Sequence, residues 1–408
     1  MKYCNYCGRG NHDNAKFCGT CGKPLEDLYI SPEVKQVSTS SVQKKEPSIK
    51  DKVINSISDY VGNDSPVNLN WKVLFSDVFK HHTKDDAEAI FICGTKSTTP
   101  AESEVSKEWP HPWLYSRVFL AFLLAFFLLW MCADAFGNSN VIPGMIVVGS
   151  FAMPLAVMIL FMELNAWRDI SLYEIIQTFL VGGCASLLAT LILSPEGNLI
   201  TYSDAFRVGI IEEVAKALII YIFIRRSQAS SILSGMLIGA CIGAGFAAFE
   251  SAGYAMQPIL EFLKNSGYND GYIQALKELG VAQANGGAPN LSIMFDDVYH
   301  SIFIRGFLAP GGHVAWAAIS GAAIILAAQD KETMNIGVFL NKKFVRLFII
   351  PVVLHGLWDS PLSAWFHNLV PFSGFIGLII IVWIVIMILI NYGLSEVNWH
   401  HHTFISFE

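Results

Sequence analysis

The sequence predicts an all-α polytopic membrane protein of about eight transmembrane helices, preceded by a small N-terminal zinc ribbon. Three observations predict it. The 408-residue chain is 53% hydrophobic and only 15% charged, with a mean hydropathy of +0.45, too apolar for a water-soluble chain of this length. From residue 114 onward, apolar runs recur near the length of about 20 residues that a bilayer requires. Two tight cysteine pairs open the chain.

The chain contains Cys4-x2-Cys7-Gly8 and Cys18-x2-Cys21-Gly22, with ten residues between Cys7 and Cys18. Two such knuckles supply four thiolates for one tetrahedral zinc ion, and each glycine lets backbone amides turn toward the sulfurs. Residues 1–24 are too few to bury a core, so metal binding has to supply the folding free energy. Four thiolates leave no open coordination position, and nothing here suggests catalysis. His12 lies between the knuckles and reads as exposed. Cys93, Cys132, Cys184 and Cys241 are scattered and read as small hydrophobes.

Residues 25–112 read as linker and juxtamembrane segment. Pro32 to Pro66 is polar with little periodicity, which describes a flexible linker. Trp71 to Phe79 has apolar residues at helical spacing and predicts an amphipathic element at the membrane surface. His81-His82, with no third ligand nearby, reads as a solvated pair.

The eight spans are placed at 114–133, 141–162, 172–193, 204–225, 232–254, 307–328, 344–366 and 372–393, within a membrane core of residues 113–394. No secretory signal precedes them, so the first span is expected to act as its own targeting signal. Arg168, Arg225-Arg226, Lys331, Lys342, Lys343 and Arg346 follow spans two, four and six, whereas the short loops after spans one, three and seven hold no Lys or Arg. The positive-inside rule then places both termini, and the ribbon, in the cytoplasm of a multi-pass cell-membrane protein. Residues 255–306 become a long extracytoplasmic loop, and 395–408 a tail containing His400-His401-His402.

Span four carries Glu212, Glu213 and Lys216 inside an apolar run. An ionisable group at the centre of a membrane helix costs roughly 2.5–3.5 kcal/mol on the insertion scale, so a cluster marks a polar cavity. At about 3.6 residues per turn, Lys216 shares a face with both glutamates. Gly235, Gly239 and Gly243 in span five predict a flat face for close helix packing. Glu250 lies in the last third of that span, His313 follows Pro310-Gly311-Gly312 in span six, and His355 and Asp359 lie one turn apart in span seven. The alternating direction of the spans brings all of these to the outer half of the membrane, which predicts a common site. Carboxylates beside imidazoles suit a general base acting on water, and the same groups equally suit a second zinc ion carrying an activated water. Both describe peptide hydrolysis.

Glu212-Glu213-Val-Ala-Lys216, Phe246-Ala-Ala-Phe-Glu250, His313 and His355-Gly-Leu-Trp-Asp359 together resemble the PrsW family of intramembrane proteases, relatives of the CAAX prenyl endopeptidases. The resemblance implies cleavage of a membrane-anchored protein, the bacterial case being an anti-sigma factor cut on its extracytoplasmic side at the start of a stress response. The CAAX relatives have His where this chain has Glu250 and Asn where it has Asp359, which leaves prenyl-protein processing as an alternative. A non-catalytic scaffold or transporter is a further alternative, weakened because the two halves show no internal repeat. A net charge of −7 argues against nucleic acid as a partner.

Overall fold

The computed structural model describes residues 2–3, 10–11, 48–62, 67, 69–106, 108–193, 201–265, 291–362, 372–399 and 405–407. Met1–Ser48 forms one compact unit and Ile49–Glu408 another. In the first, β1 (Lys2–Tyr3) pairs antiparallel with β2 (Gly10–Asn11). The four cysteines expected to bind zinc, Cys4, Cys7, Cys18 and Cys21, lie outside the described residues, as do His12 and His400 to His402.

Among its described residues the second unit is almost wholly helical. Its helices are α1 (Ile49–Val61), α2 (Lys84–Phe91), α3 (Leu114–Asp134), α4 (Ile142–Leu164), α5 (Leu172–Leu193), α6 (Tyr202–Ser227), α7 (Ile232–Asn265), α8 (Leu291–Leu308), α9 (His313–Lys331), α10 (Lys342–Asp359) and α11 (Ser373–Trp399). Among the described residues, six stretches are long and apolar enough to cross a membrane: α3, α4, α5, the first 30 residues of α7, residues Asp296–Lys331, and most of α11. Helices α6 and α10 stand where the fourth and seventh spans are expected. Neither contains a long enough stretch with so few charges: Glu212, Glu213 and Lys216 stand in the middle of one, and the 18 residues of the other include Lys342, Lys343, Arg346 and Asp359.

The layering follows from what each helix buries. No residue in the apolar stretch of α3 is fully buried, although Phe126 packs against the protein, while the apolar stretch of α7 is 94% buried. So α3 offers its side chains to lipid and α7 is the central post. Gly235, Gly239 and Gly243 of α7 face α9, where a methyl group on Gly239 would overlap the Ala317 carbonyl and one on Gly243 the His313 carbonyl. This is the close seam that small residues permit, and it ends at His313. On another side of α7, Gly245 meets Gly183 and the Phe179 carbonyl, where α5 contains a π-helical turn at Thr178–Gly182.

Three features differ from the sequence-based expectation. Within the stretch read as flexible linker, α1 forms because Ile49, Val53, Ile57 and Val61 recur every four residues. Its Tyr60 hydroxyl donates to the Arg346 carbonyl at 2.9 Å, and the Arg346 guanidinium lies 4.5 Å from the Tyr60 ring. Span six is interrupted, since Ala309–Gly311 forms a 3-10 turn between α8 and α9, with Pro310 lacking an amide hydrogen. Trp383 donates to the Pro310 carbonyl at 2.9 Å and satisfies part of the broken ladder. Finally, the stretch read as a long loop begins and ends in helix, because α7 runs on to Asn265 and α8 begins at Leu291.

The juxtamembrane segment is a short 3-10 turn, Trp71–Phe75, followed by α2. His82 is stacked on Trp113 at 3.8 Å and His81 is exposed. Glu163 at the end of α4 accepts from the backbone amides of Trp113, Leu114 and Tyr115 at 2.8–2.9 Å, capping α3 where its own sequence supplies no cap.

Candidate active site

Four helices bring the embedded ionisable groups together. Helix α6 supplies Glu212, Glu213 and Lys216 on consecutive turns, and all three are buried. Helix α10 can reach them because Gly209 and Gly356 stand at the crossing, where a methyl group on Gly209 would lie 3.1 Å from the Gly356 amide and one on Gly356 would press into Phe206. That crossing delivers His355. Helix α9 delivers His313 at its first residue, directly after the Pro310-Gly311-Gly312 break, and α7 delivers Glu250.

Lys216 is the hub. Its ammonium donates to Glu213 Oε1 at 2.6 Å, to Glu212 Oε2 at 3.4 Å and to His313 Nδ1 at 2.9 Å, and it lies 4.4 Å from the centre of the Phe246 ring. Glu213 Oε1 also accepts from His355 Nδ1 at 2.9 Å. With Nδ1 protonated, His355 keeps its lone pair on Nε2, which lies 3.7 Å from Glu212 Oε2 and 3.2 Å from Asp359 Oδ2. His313 is bonded the other way round. Its Nε2 donates to Glu250 Oε2 at 3.0 Å, leaving the lone pair of Nδ1 toward Lys216 and Glu212, the latter 3.9 Å away. Trp316 stacks on His355 at 4.5 Å and meets His313 edge-on at 5.1 Å, so both rings are wedged.

All seven residues singled out in the sequence, Glu212, Glu213, Lys216, Glu250, His313, His355 and Asp359, are therefore linked in one network. One further member was not anticipated. Arg305 of α8 pairs with Glu250 through Nη2 and donates from Nε to Ser251 at 2.9 Å. It lay in the stretch read as a loop, though a lone cation in Ile302-Phe-Ile-Arg305-Gly-Phe-Leu308 is itself an unusual signal. The network is graded in exposure. The side chains of Lys216 and Glu213 are 0% exposed and that of His355 2%, against 16% for Glu250, 23% for Asp359 and 29% for Arg305. The network is open to the outside of the protein on the Glu250–Arg305–Asp359 side.

The donor set fits a metal ion. One oxygen of Glu212 and one nitrogen each of His313 and His355 lie within 4.8 Å of one another. Their 3.7 and 3.9 Å separations from Glu212 approach the edge of about 3.4 Å expected between ligands of a tetrahedral zinc ion. Charge points the same way: among the described residues the carboxylates of Glu212, Glu213, Glu250 and Asp359 stand with two fixed cations, Lys216 and Arg305, so that with all four ionised a divalent ion would balance the site. Glu213 Oε2 is buried with no hydrogen-bond partner among the described residues, an arrangement that an uninvolved carboxylate would pay for.

The family model for PrsW family intramembrane metalloproteases matches residues 170–390, more than half of the chain. The chain belongs to the PrsW family. It is therefore a membrane peptidase, and the match runs from the loop before α5 into α11, taking in every residue of the network. No curated relative and no solved structure matches the chain. The PrsW description as metalloproteases agrees with the Glu212, His313 and His355 donor cluster.

Proposed function

We propose that this PrsW-family chain is a metal-dependent intramembrane endopeptidase that cuts a single-span membrane protein, of the anti-sigma-factor type, near the extracytoplasmic side. The observation that carries this reading is the meeting of Glu212, Glu213, His313 and His355 from three helices within one buried cluster. A zinc ion held by Glu212, His313 and His355 would polarise the scissile carbonyl and present a water activated near neutral pH.

The chain's own residues divide the remaining work. Glu213 is anchored through Oε1 by Lys216 and His355, while Oε2 carries no bond. That free oxygen is the general base, taking a proton from the attacking water and handing it to the leaving amine. Lys216 is the counter-ion that allows two adjacent carboxylates inside the membrane. Glu213 Oε1, accepting from Nδ1, also orients the His355 imidazole, and Asp359, with Oδ2 3.2 Å from Nε2, is a further oxygen donor beside the metal position. Trp316, Phe246 and the glycine seam of α7 and α9 exclude water from the buried side, so the substrate backbone approaches from the Glu250–Arg305–Asp359 side.

Orientation rests on the basic ends of the helices. Glu212 stands 13 residues from Arg225 and His355 13 residues from Lys342, each about 20 Å of helix from a basic terminus. With those termini cytoplasmic, the cluster lies in the outer half of the bilayer. Cys4, Cys7, Cys18 and Cys21 then form a cytoplasmic zinc ribbon that serves docking or regulation.

Metal content tests the reading. The full-length chain with the four ribbon cysteines replaced by serine is expected to retain one zinc per chain after purification and to lose it in His355→Ala. Cleavage that persists in a chelator-treated protein holding no metal would reduce the site to glutamate chemistry alone.

A further inference from the structure

We infer that Arg305 is a positioning residue of this centre, acting through Glu250 to fix the ring of His313. The inference rests on the reading of His313 as part of the hydrolytic cluster. It does not follow from any motif, since Arg305 belongs to α8, outside all of the motif residues.

The geometry is that of a clamp on one turn of α7. The Arg305 guanidinium pairs with Glu250 through Nη2, donates to Ser251 Oγ through Nε at 2.9 Å, and lies 4.2 Å from the centre of the Tyr254 ring. These three contacts fall at i, i+1 and i+4 of the same helix, so the planar fork is held in position and orientation as well as in charge. The oxygen of Glu250 that it holds, Oε2, is also the one that accepts from His313 Nε2 at 3.0 Å. Glu250 is thus fixed from behind by Arg305 and fixes His313 in front.

What this achieves follows from the two nitrogens of an imidazole. When Nε2 donates to Glu250, the lone pair must lie on Nδ1, which faces Lys216 and Glu212. A Glu250 free to change rotamer would release the ring and with it the direction of that lone pair. His313 is vulnerable to this because it is the first residue of α9, separated by Gly312 from the Ala309–Gly311 3-10 turn, with no preceding α-helical turn to hold it. Arg305 sits on the far side of the interruption and ties α8 to the turn of α7 that anchors His313. No contact joins Arg305 directly to Glu212, Glu213 or His355, which separates its role from the chemistry itself.

A double-mutant cycle tests the proposal. The full-length chain is compared with Arg305→Gln, Arg305→Lys, Glu250→Ala and Arg305→Gln/Glu250→Ala, measuring kcat and KM on a single-span substrate. Zinc affinity is measured without substrate by chelator competition in the ribbon Cys→Ser background. Arg305→Gln is expected to lower kcat about tenfold and to weaken zinc binding by a similar factor, the range seen for outer-shell partners of metal ligands. Arg305→Lys should restore part of both, and the double variant should be no worse than Glu250→Ala alone. Losses that multiply in the double variant, or a rise in KM with kcat and zinc affinity unchanged, would show that Arg305 meets the substrate directly and overturn the proposal. Should Arg305→Gln fail to fold, Arg305→Lys alone and combined with Glu250→Ala completes the same cycle. The underlying site fails separately, if Glu213→Gln retains full turnover. Glu213→Gln inactive with Arg305→Gln fully active defeats only the role of Arg305.

Discussion

Lys216 is fully buried, yet it holds two carboxylates and an imidazole at 2.6–3.4 Å. A charge so placed stabilises by pairing, and its removal leaves Glu212 and Glu213 buried against each other. Lys216→Met is therefore expected to destabilise the protein by roughly 3–5 kcal/mol, read as a lowered unfolding midpoint in detergent. An unchanged midpoint would mean that the glutamates are not held as a charged pair. The same residue bonds His313 Nδ1 and would compete with a metal for its lone pair, which sequence alone could not show. The i, i+3 and i, i+4 spacing to the glutamates was legible along one helix. The contact with His313 spans 97 positions and exists only because α9 begins at a break. Arg305 escaped notice for a related reason: its partner Glu250 is 55 residues away, and an isolated arginine carries no periodic signal. A second residue-scale expectation lies outside the membrane. Asp86 accepts from the backbone amide and hydroxyl of Thr83, and these bonds hold its carboxyl below the ordinary carboxylate range. A depressed folded-state value means the capping contribution is complete above the unfolded value of about 3.9 and is lost as pH falls through the folded one. Amide protection in the first turn of α2 should fall over that acidic window and be insensitive to it in Asp86→Asn.

At the scale of elements, the site depends on how closely helices can approach. The glycine face of α7 was readable because its four-residue spacing is a local property, and the partner it meets proves to be α9, whose Gly321, Ala317 and His313 lie opposite. Gly239→Ala places a methyl group into the Ala317 carbonyl and is expected to cost about 1–3 kcal/mol by overpacking. Because the seam ends at His313, activity should fall beyond what the stability loss alone explains. Gly253, where an added methyl group meets nothing within 4 Å, is the control on the same helix, and equal effects at both positions would contradict the seam. The interruption between α8 and α9 was half legible. Pro310-Gly311-Gly312 is a breaking sequence, but hydropathy runs smoothly across it and suggests one span. Helix α1 was hidden for the opposite reason: its stripe of Ile49, Val53, Ile57 and Val61 is diluted by Lys, Asp, Asn and Ser, so composition reads as linker where periodicity reads as helix.

In the helical unit, α7 and α9 are the most buried apolar helices and α3 is the most exposed, while α6 and α10 bury Glu212, Glu213, Lys216 and His355. Helices α6 and α10 fall short of a purely apolar span for the same reason that they hold the site, since the charges that lower their hydropathy are Glu212, Glu213 and Lys216 in one and Asp359, with the basic start, in the other. The convergence of four helices could be anticipated from alternating span directions, whereas the graded exposure from Lys216 outward to Arg305 required the packed structure. The central claim is that these groups form one hydrolytic centre with Glu213 as its base. Its most direct measurement is the time course of cleavage of a single-span substrate by the purified full-length chain and by Glu213→Gln, which keeps the side chain's size and its contacts with Lys216 and His355 through Oε1. The account predicts product from the first and a loss of at least about 100-fold in the second, as expected when a general base is removed. Equal rates from the two proteins would contradict it.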